Sequence, residues 1–115
     1  MKLSVIIISF RSNHLLNRLL KIFPKNFEII VIENSLNHKT KTILEKKFQN
    51  TKVIIPSKNL GYASAFNLAY KKSKNNFIIT ITPDVIFEAK LINVDFFGSE
   101  RRIRTADPRL MSPVL

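Results

Sequence analysis

Residues 77–88 read FIITITPDVIFE, and the fold turns on how that stretch begins and how it stops. From Phe77 to Thr82 the side chains are β-branched or aromatic, the composition of a strand buried on both faces. Pro83 ends the run, because proline has no N–H for the ladder and fixes its own φ. Asp84 comes next, which sets a carboxylate just beyond the carboxyl end of a core strand. In open α/β sheets that end is where ligands bind. A carboxylate there can hold a hard cation such as Mg²⁺ or Mn²⁺, and the cation can hold a diphosphate. Aspartate after proline also commonly does no more than begin a turn, so the rest of the chain has to decide between the two uses.

Three more apolar runs precede it. Residues 3–10 (LSVIIISF), 27–33 (FEIIVIE) and 52–55 (KVII) each predict a strand, the first two apolar almost throughout. Between the first two, Leu15, Leu16, Leu19, Leu20 and Phe23 recur at helical spacing behind a cap at Ser12 or Asn13, and Pro24 closes the segment. A second helix is predicted over residues 39–48 with Ile43, Leu44 and Phe48 inward. A third opens near Gly61, keeps small residues on one side and runs to about Ser73. The order β-α-β-α-β-α-β predicts the α/β class: a mainly parallel sheet in three layers, α/β/α. Residues 91–97 predict a further short helix or strand.

The chain has 115 residues, room for one small domain with a real core. It is 45% hydrophobic, but no apolar run approaches the roughly 18 residues of a spanning helix. The start, MKLSVIII, is too short for a secretory h-region. With no cysteine, disulfides, zinc–thiolate sites and thiol nucleophiles are excluded. The expected setting is the cytoplasm, in free solution or peripheral at the inner face of the membrane. A net charge of +11 favours anionic partners. The lysines are scattered and the phenylalanines lie in or beside apolar runs, so no specific nucleic-acid partner is expected. Four of the six arginines (Arg101, Arg102, Arg104, Arg109) fall in the tail 98–115, where the Ile, Asn and Lys usage of the first part stops. That tail has no usable periodicity and contains Pro108 and Pro113, which predicts an unrelated, disordered segment.

Three polar clusters stand at strand ends: 9–12, 33–35 and 82–84. In a parallel sheet they converge on one edge, where one carboxylate can accept from a base or ribose and another can hold a metal. A helix opening near Gly61 can turn free N–H groups toward phosphate. The only glycines are Gly61 and Gly98, so both GxGxxG and GxxxxGK[ST] are missing. That argues against a dinucleotide-dependent dehydrogenase and a P-loop NTPase.

Taken in order, LSVIIISFRS, EIIVIENS and NLGYASAFNLAYKKSKNNFIITITPDV resemble the start of a family two glycosyltransferase with the GT-A fold. The resemblance covers about residues 3–87. It implies the nucleotide-sugar-binding half over residues 1–97, a divalent metal (Mg²⁺ or Mn²⁺) and inverting transfer from a nucleotide-diphosphate sugar to a glycan or lipid-linked acceptor, as in surface polysaccharide biosynthesis. Ser9 and Phe10 fall where the first-strand loop of the family contacts the nucleotide. Glu33 falls where members usually have an aspartate that binds the base, and its longer side chain is a departure. Asn59, Gly61 and Asn67 match the segment lining the donor pocket. Thr82-Pro83-Asp84 matches the DxD-type motif in a looser form, with Asp84 as the metal-side carboxylate and Thr82 in place of the first acid.

Each of these has a simpler use: Glu33 as a solvated strand-end charge, Asn59 as a helix cap, Gly61 as a loop residue with positive φ. The acceptor half, with its general base, has no counterpart in the resemblance, so the expectation is a truncated and weakly active chain. A sheet left with an open edge further predicts self-association. The alternatives are a nucleotide-sugar-binding module without chemistry, and a basic protein of nucleic acid or membrane surfaces.

Overall fold

Parallel strands buried on both faces need a helix between each pair, and the direction in which the chain steps decides which face that helix covers. The computed structural model describes residues 3–84 and the strand Arg102–Thr105. Its elements run β1 (Leu3–Ser9), α1 (Asn13–Leu20), β2 (Glu28–Glu33), α2 (His38–Lys47), β3 (Thr51–Ile54), α3 (Gly61–Lys72), β4 (Phe77–Ile81) and β5 (Arg102–Thr105). The sheet order is β3-β2-β1-β4-β5, with every pair parallel. From β1 the chain steps to β2 and then to β3. It then returns past both to pair β4 with the other side of β1. Right-handed crossovers therefore carry α1 and α2 over one face and α3 over the other.

The core splits accordingly. Val5, Ile7, Val31, Val53, Ile79 and Ile81 pack with Leu16, Leu19, Leu20 and Leu44 on the side of α1 and α2. Ile6, Ile30, Ile32 and Ile78 pack with Ala65 and Ala69 on the side of α3, where the small alanines let the helix lie close to the strands. Burying one such Ile or Leu contributes about 1.5–3 kcal/mol. Summed over β1, β2 and β4, that exceeds the cost of the few polar groups buried at the strand tips. Among the described residues no helix is long and apolar enough to cross a membrane.

One expectation is corrected. Ile43 is 60% exposed, whereas Thr40 and Leu44, one turn apart, face the sheet. Adjacent helical positions differ by about 100°, so Leu44 inward turns Ile43 out. Within residues 98–115 the described segment is β5, which pairs from Phe77↔Arg102 to Thr80↔Thr105. The reason is the outer edge of β4, whose N–H and C=O groups accept any extended backbone, whatever its side-chain pattern. The element predicted at 91–97 and the rest of the tail lie outside the described residues.

Candidate functional site

The chain reverses direction across the sheet between β1 and β4, and crevices open at such switch points beyond the carboxyl ends of the strands. A cleft of about 480 Å³ lies there. Its lining includes Ser9 and Phe10 from the end of β1, Asn59 and Gly61 from the start of α3, and Thr82 and Asp84 beyond β4. Six of the eight residues expected at the site therefore meet in one cavity.

The β1 side is set by Ser9, fully buried, whose Oγ has no hydrogen-bond partner. Phe10 is next, 48% exposed, with the Arg11 guanidinium 5.1 Å from its ring centroid. Arg11 takes φ of 55°, a left-handed conformation uncommon outside glycine, and its N–H donates to Ser35 Oγ at 3.3 Å. On the β4 side, Thr82 is buried and its Oγ1 also lacks a partner. A buried hydroxyl left unpaired costs about 1–3 kcal/mol. Ser9 and Thr82 both line the cleft, and a ligand with acceptor oxygens would satisfy such hydroxyls. Asp84 is exposed and, among the described residues, is the only carboxylate on the lining.

The third wall is the start of α3. Gly61 has φ of +71°, which its lack of a side chain permits, and a Cβ there would meet nothing within 4 Å. Asn59 Oδ1 accepts from the Gly61 N–H at 2.9 Å and fixes the turn into the helix. Tyr62 lines the cleft, and its hydroxyl lies 2.9 Å from Thr80 Oγ1, tying α3 to β4.

Glu33 and Asn67 are placed elsewhere. Glu33 is fully buried and off the lining. Its Oε1 accepts from the Ser35 N–H at 3.2 Å and from Ser35 Oγ, and its Oε2 accepts from the Asn37 N–H at 2.6 Å. The carboxylate thus closes the β2–α2 loop, in which Leu36 has φ of 62°. Asn67 is exposed on α3, about 9 Å along the helix from Gly61 at 1.5 Å per residue.

The residue that sequence reasoning passed over is Asn34. It is 3% exposed and lines the cleft. Its Nδ2 donates to the Gly61 carbonyl at 3.0 Å, and its Oδ1 accepts from the Leu60 N–H at 3.2 Å. One amide side chain thereby locks the tip of β2 to the start of α3. The available signal was an asparagine directly after a strand-terminal acid, read as one more turn residue.

A model of the family described as Glycosyl transferase family 2 matches residues 4–94. Among solved structures the chain is similar to that titled "Crystal structure of S. aureus TarS 1-349", with 27% identity and a TM-score of 0.65, over 80% of this chain and 30% of that one. The chain thus spans less than a third of that structure. No curated protein matches.

Proposed function

The chain belongs to glycosyl transferase family 2, its parallel sheet being the Rossmann-like core of the GT-A fold, and from that premise we propose that the cleft beyond β1 and β4 receives a nucleotide-diphosphate sugar. The observation that carries this reading is the pair of unpartnered hydroxyls, Ser9 Oγ and Thr82 Oγ1, sharing one cavity with Asp84. Both can donate to phosphate oxygens. The start of α3 adds the positive end of a helix dipole on the same side. Phe10 and Tyr62, 48% and 42% exposed, offer rings to the base or the sugar. Glu33 serves this site by shaping the β2–α2 loop.

In the transfer, an acceptor hydroxyl oxygen bonds to the anomeric carbon of the sugar while the bond from that carbon to the diphosphate oxygen breaks. The electron pair leaves with the nucleoside diphosphate, and attack from the opposite face inverts the centre. The acceptor proton passes to a base. Among the described residues the cleft has no second carboxylate, and Glu28, Glu33 and Glu45 are all engaged in hydrogen bonds. The acceptor in this reading is a glycan or a lipid-linked glycan.

The donor set can be tested for a divalent cation. Hard cations take about six or more oxygens. Asp84 supplies a carboxylate, and the described residues include no group of three His, Asp or Glu able to hold a metal. That set fits a Mg²⁺ or Mn²⁺ arriving with the diphosphate, with Asp84 its protein ligand. When bound, the cation would offset the negative charge that builds on the leaving diphosphate.

Titration calorimetry with a panel of nucleoside diphosphates, with and without Mn²⁺, tests the reading. Binding strengthened by Mn²⁺, with that increment removed by Asp84→Asn, is expected. No binding of any nucleoside diphosphate would remove the proposal, and binding indifferent to Mn²⁺ and to Asp84→Asn would remove the metal from it.

A further inference from the structure

A second cleft, of about 620 Å³, opens at the opposite end of the sheet, where α1 and α2 finish. Four lysines line it: Lys21, Lys25, Lys46 and Lys47. Its apolar part includes Phe23 and Phe48. The walls are held by Asn50, whose Nδ2 donates to the carbonyls of Phe27 at 3.0 Å and Pro24 at 3.3 Å, joining the loop before β2 to the loop before β3.

Among the described residues no carboxylate lines this cleft. Among the described residues the one ion pair is Lys41–Glu45, elsewhere on α2, so none of the four lysines has an acidic partner there. Lys47 Nζ donates to Asn17 Oδ1 at 2.8 Å and lies 5.7 Å from the centre of the Phe48 ring, both neutral groups. Lysines at the ends of α1 and α2 oppose the negative poles of those helices, which accounts for Lys21, Lys46 and Lys47 singly. It does not account for Lys25, which lies outside both helices, nor for the convergence of all four on one opening.

We infer that this face docks on a membrane surface carrying acidic phospholipid. Lysines without a carboxylate nearby are attracted additively to such a surface. A single soluble phosphate needs one or two donors, whereas four ammonium groups around an opening this size suit an extended negative field. Single-stranded nucleic acid would need exposed rings as stacking platforms. Phe23 is only 6% exposed, and Phe48 is partly buried against the core. Docking by this end leaves the other cleft, at the far ends of the strands, facing water and open to a soluble donor. The inference stands independently of what that other cleft binds.

The test is sedimentation of the full chain with vesicles of phosphatidylcholine alone and of phosphatidylcholine mixed with phosphatidylglycerol. Binding to the anionic vesicles only is expected. Replacing Lys21, Lys25, Lys46 and Lys47 together by Gln should weaken it at least about tenfold. A control with the exposed Lys58, Lys71, Lys72 and Lys74 replaced by Gln carries the same charge change and should lose less than about threefold, after circular dichroism shows both variants folded. Equal losses in the two variants, binding to neutral vesicles, or no vesicle binding alongside tight binding to single-stranded RNA would each overturn the inference.

Discussion

The tips of β2 and β4 look alike in sequence and behave as opposites. Each core strand runs into an acid at the same edge of the sheet, Glu33 at one tip and Asp84 at the other. Glu33 is fully buried, with both oxygens taken up by its own loop; Asp84 is exposed in the cleft. The chain neighbours of each acid make the difference. After Glu33 come Asn-Ser-Leu-Asn, a loop that curls back and points the N–H groups of Ser35 and Asn37 at the carboxylate. Before Asp84 stands Pro83, which ends the strand and begins a turn that carries the acid out of the core. A carboxylate at a strand end is thus structural or available according to the local supply of donors, not its place in the sheet.

Substitution at the two tips should separate these roles. Glu33→Ala leaves buried loop donors unpaired, so it should cost about 3 kcal/mol of stability in urea unfolding, far more than a surface change. Asp84→Asn should leave stability within about 0.5 kcal/mol while weakening nucleoside diphosphate binding in Mg²⁺ about tenfold to a hundredfold. If the two variants behaved alike in both assays, the comparison would fail.

Ser9→Ala adds to the contrast from the β1 side. It removes a buried hydroxyl that has no partner in the free protein, so stability should rise by about 1 kcal/mol, read from the urea midpoint. Nucleoside diphosphate affinity should fall about tenfold in the same variant. Opposite signs in the two measurements are the signature of a group kept for a ligand.

The smallest effect concerns Glu45, a third way of holding an acid. Burial pushes its carboxyl up, but hydrogen bonds from Lys41 Nζ and the Val53 N–H, with the charges of Lys41 and Lys52, outweigh that and leave it below the usual glutamate value. A lowered folded value means that Glu45 adds stability above its unfolded value and loses it as pH falls through the folded one. The pair is partly exposed, so the gap between wild type and Glu45→Gln should stay under about 1 kcal/mol at neutral pH and close in acid.

Legibility in the sequence divides along the same line. β1, β2 and β4 were readable because strands covered on both faces carry nearly unbroken apolar runs, and the switch point came from their order. Asp84 was readable because Pro83 announced the strand end. The burial of Glu33 was not readable, because a charged residue at a strand tip looks solvated until the N–H groups that bury it are known. Asn34 and the Tyr62–Thr80 contact were invisible because they join segments 26 to 27 and 18 residues apart. β5 escaped because RIRT pairs through its backbone, which leaves no side-chain pattern to read.

Everything proposed for the site requires that the ligand enter between β1 and β4. Backbone amide NMR shifts mapped during titration with a nucleoside diphosphate and Mg²⁺ decide the point. The largest changes are expected at Ser9, Phe10, Gly61, Tyr62 and Asp84, with residues 46–50 unmoved. Changes centred on Lys21, Lys25 and residues 46–50 instead would put the diphosphate in the lysine-lined cleft and refute entry between β1 and β4.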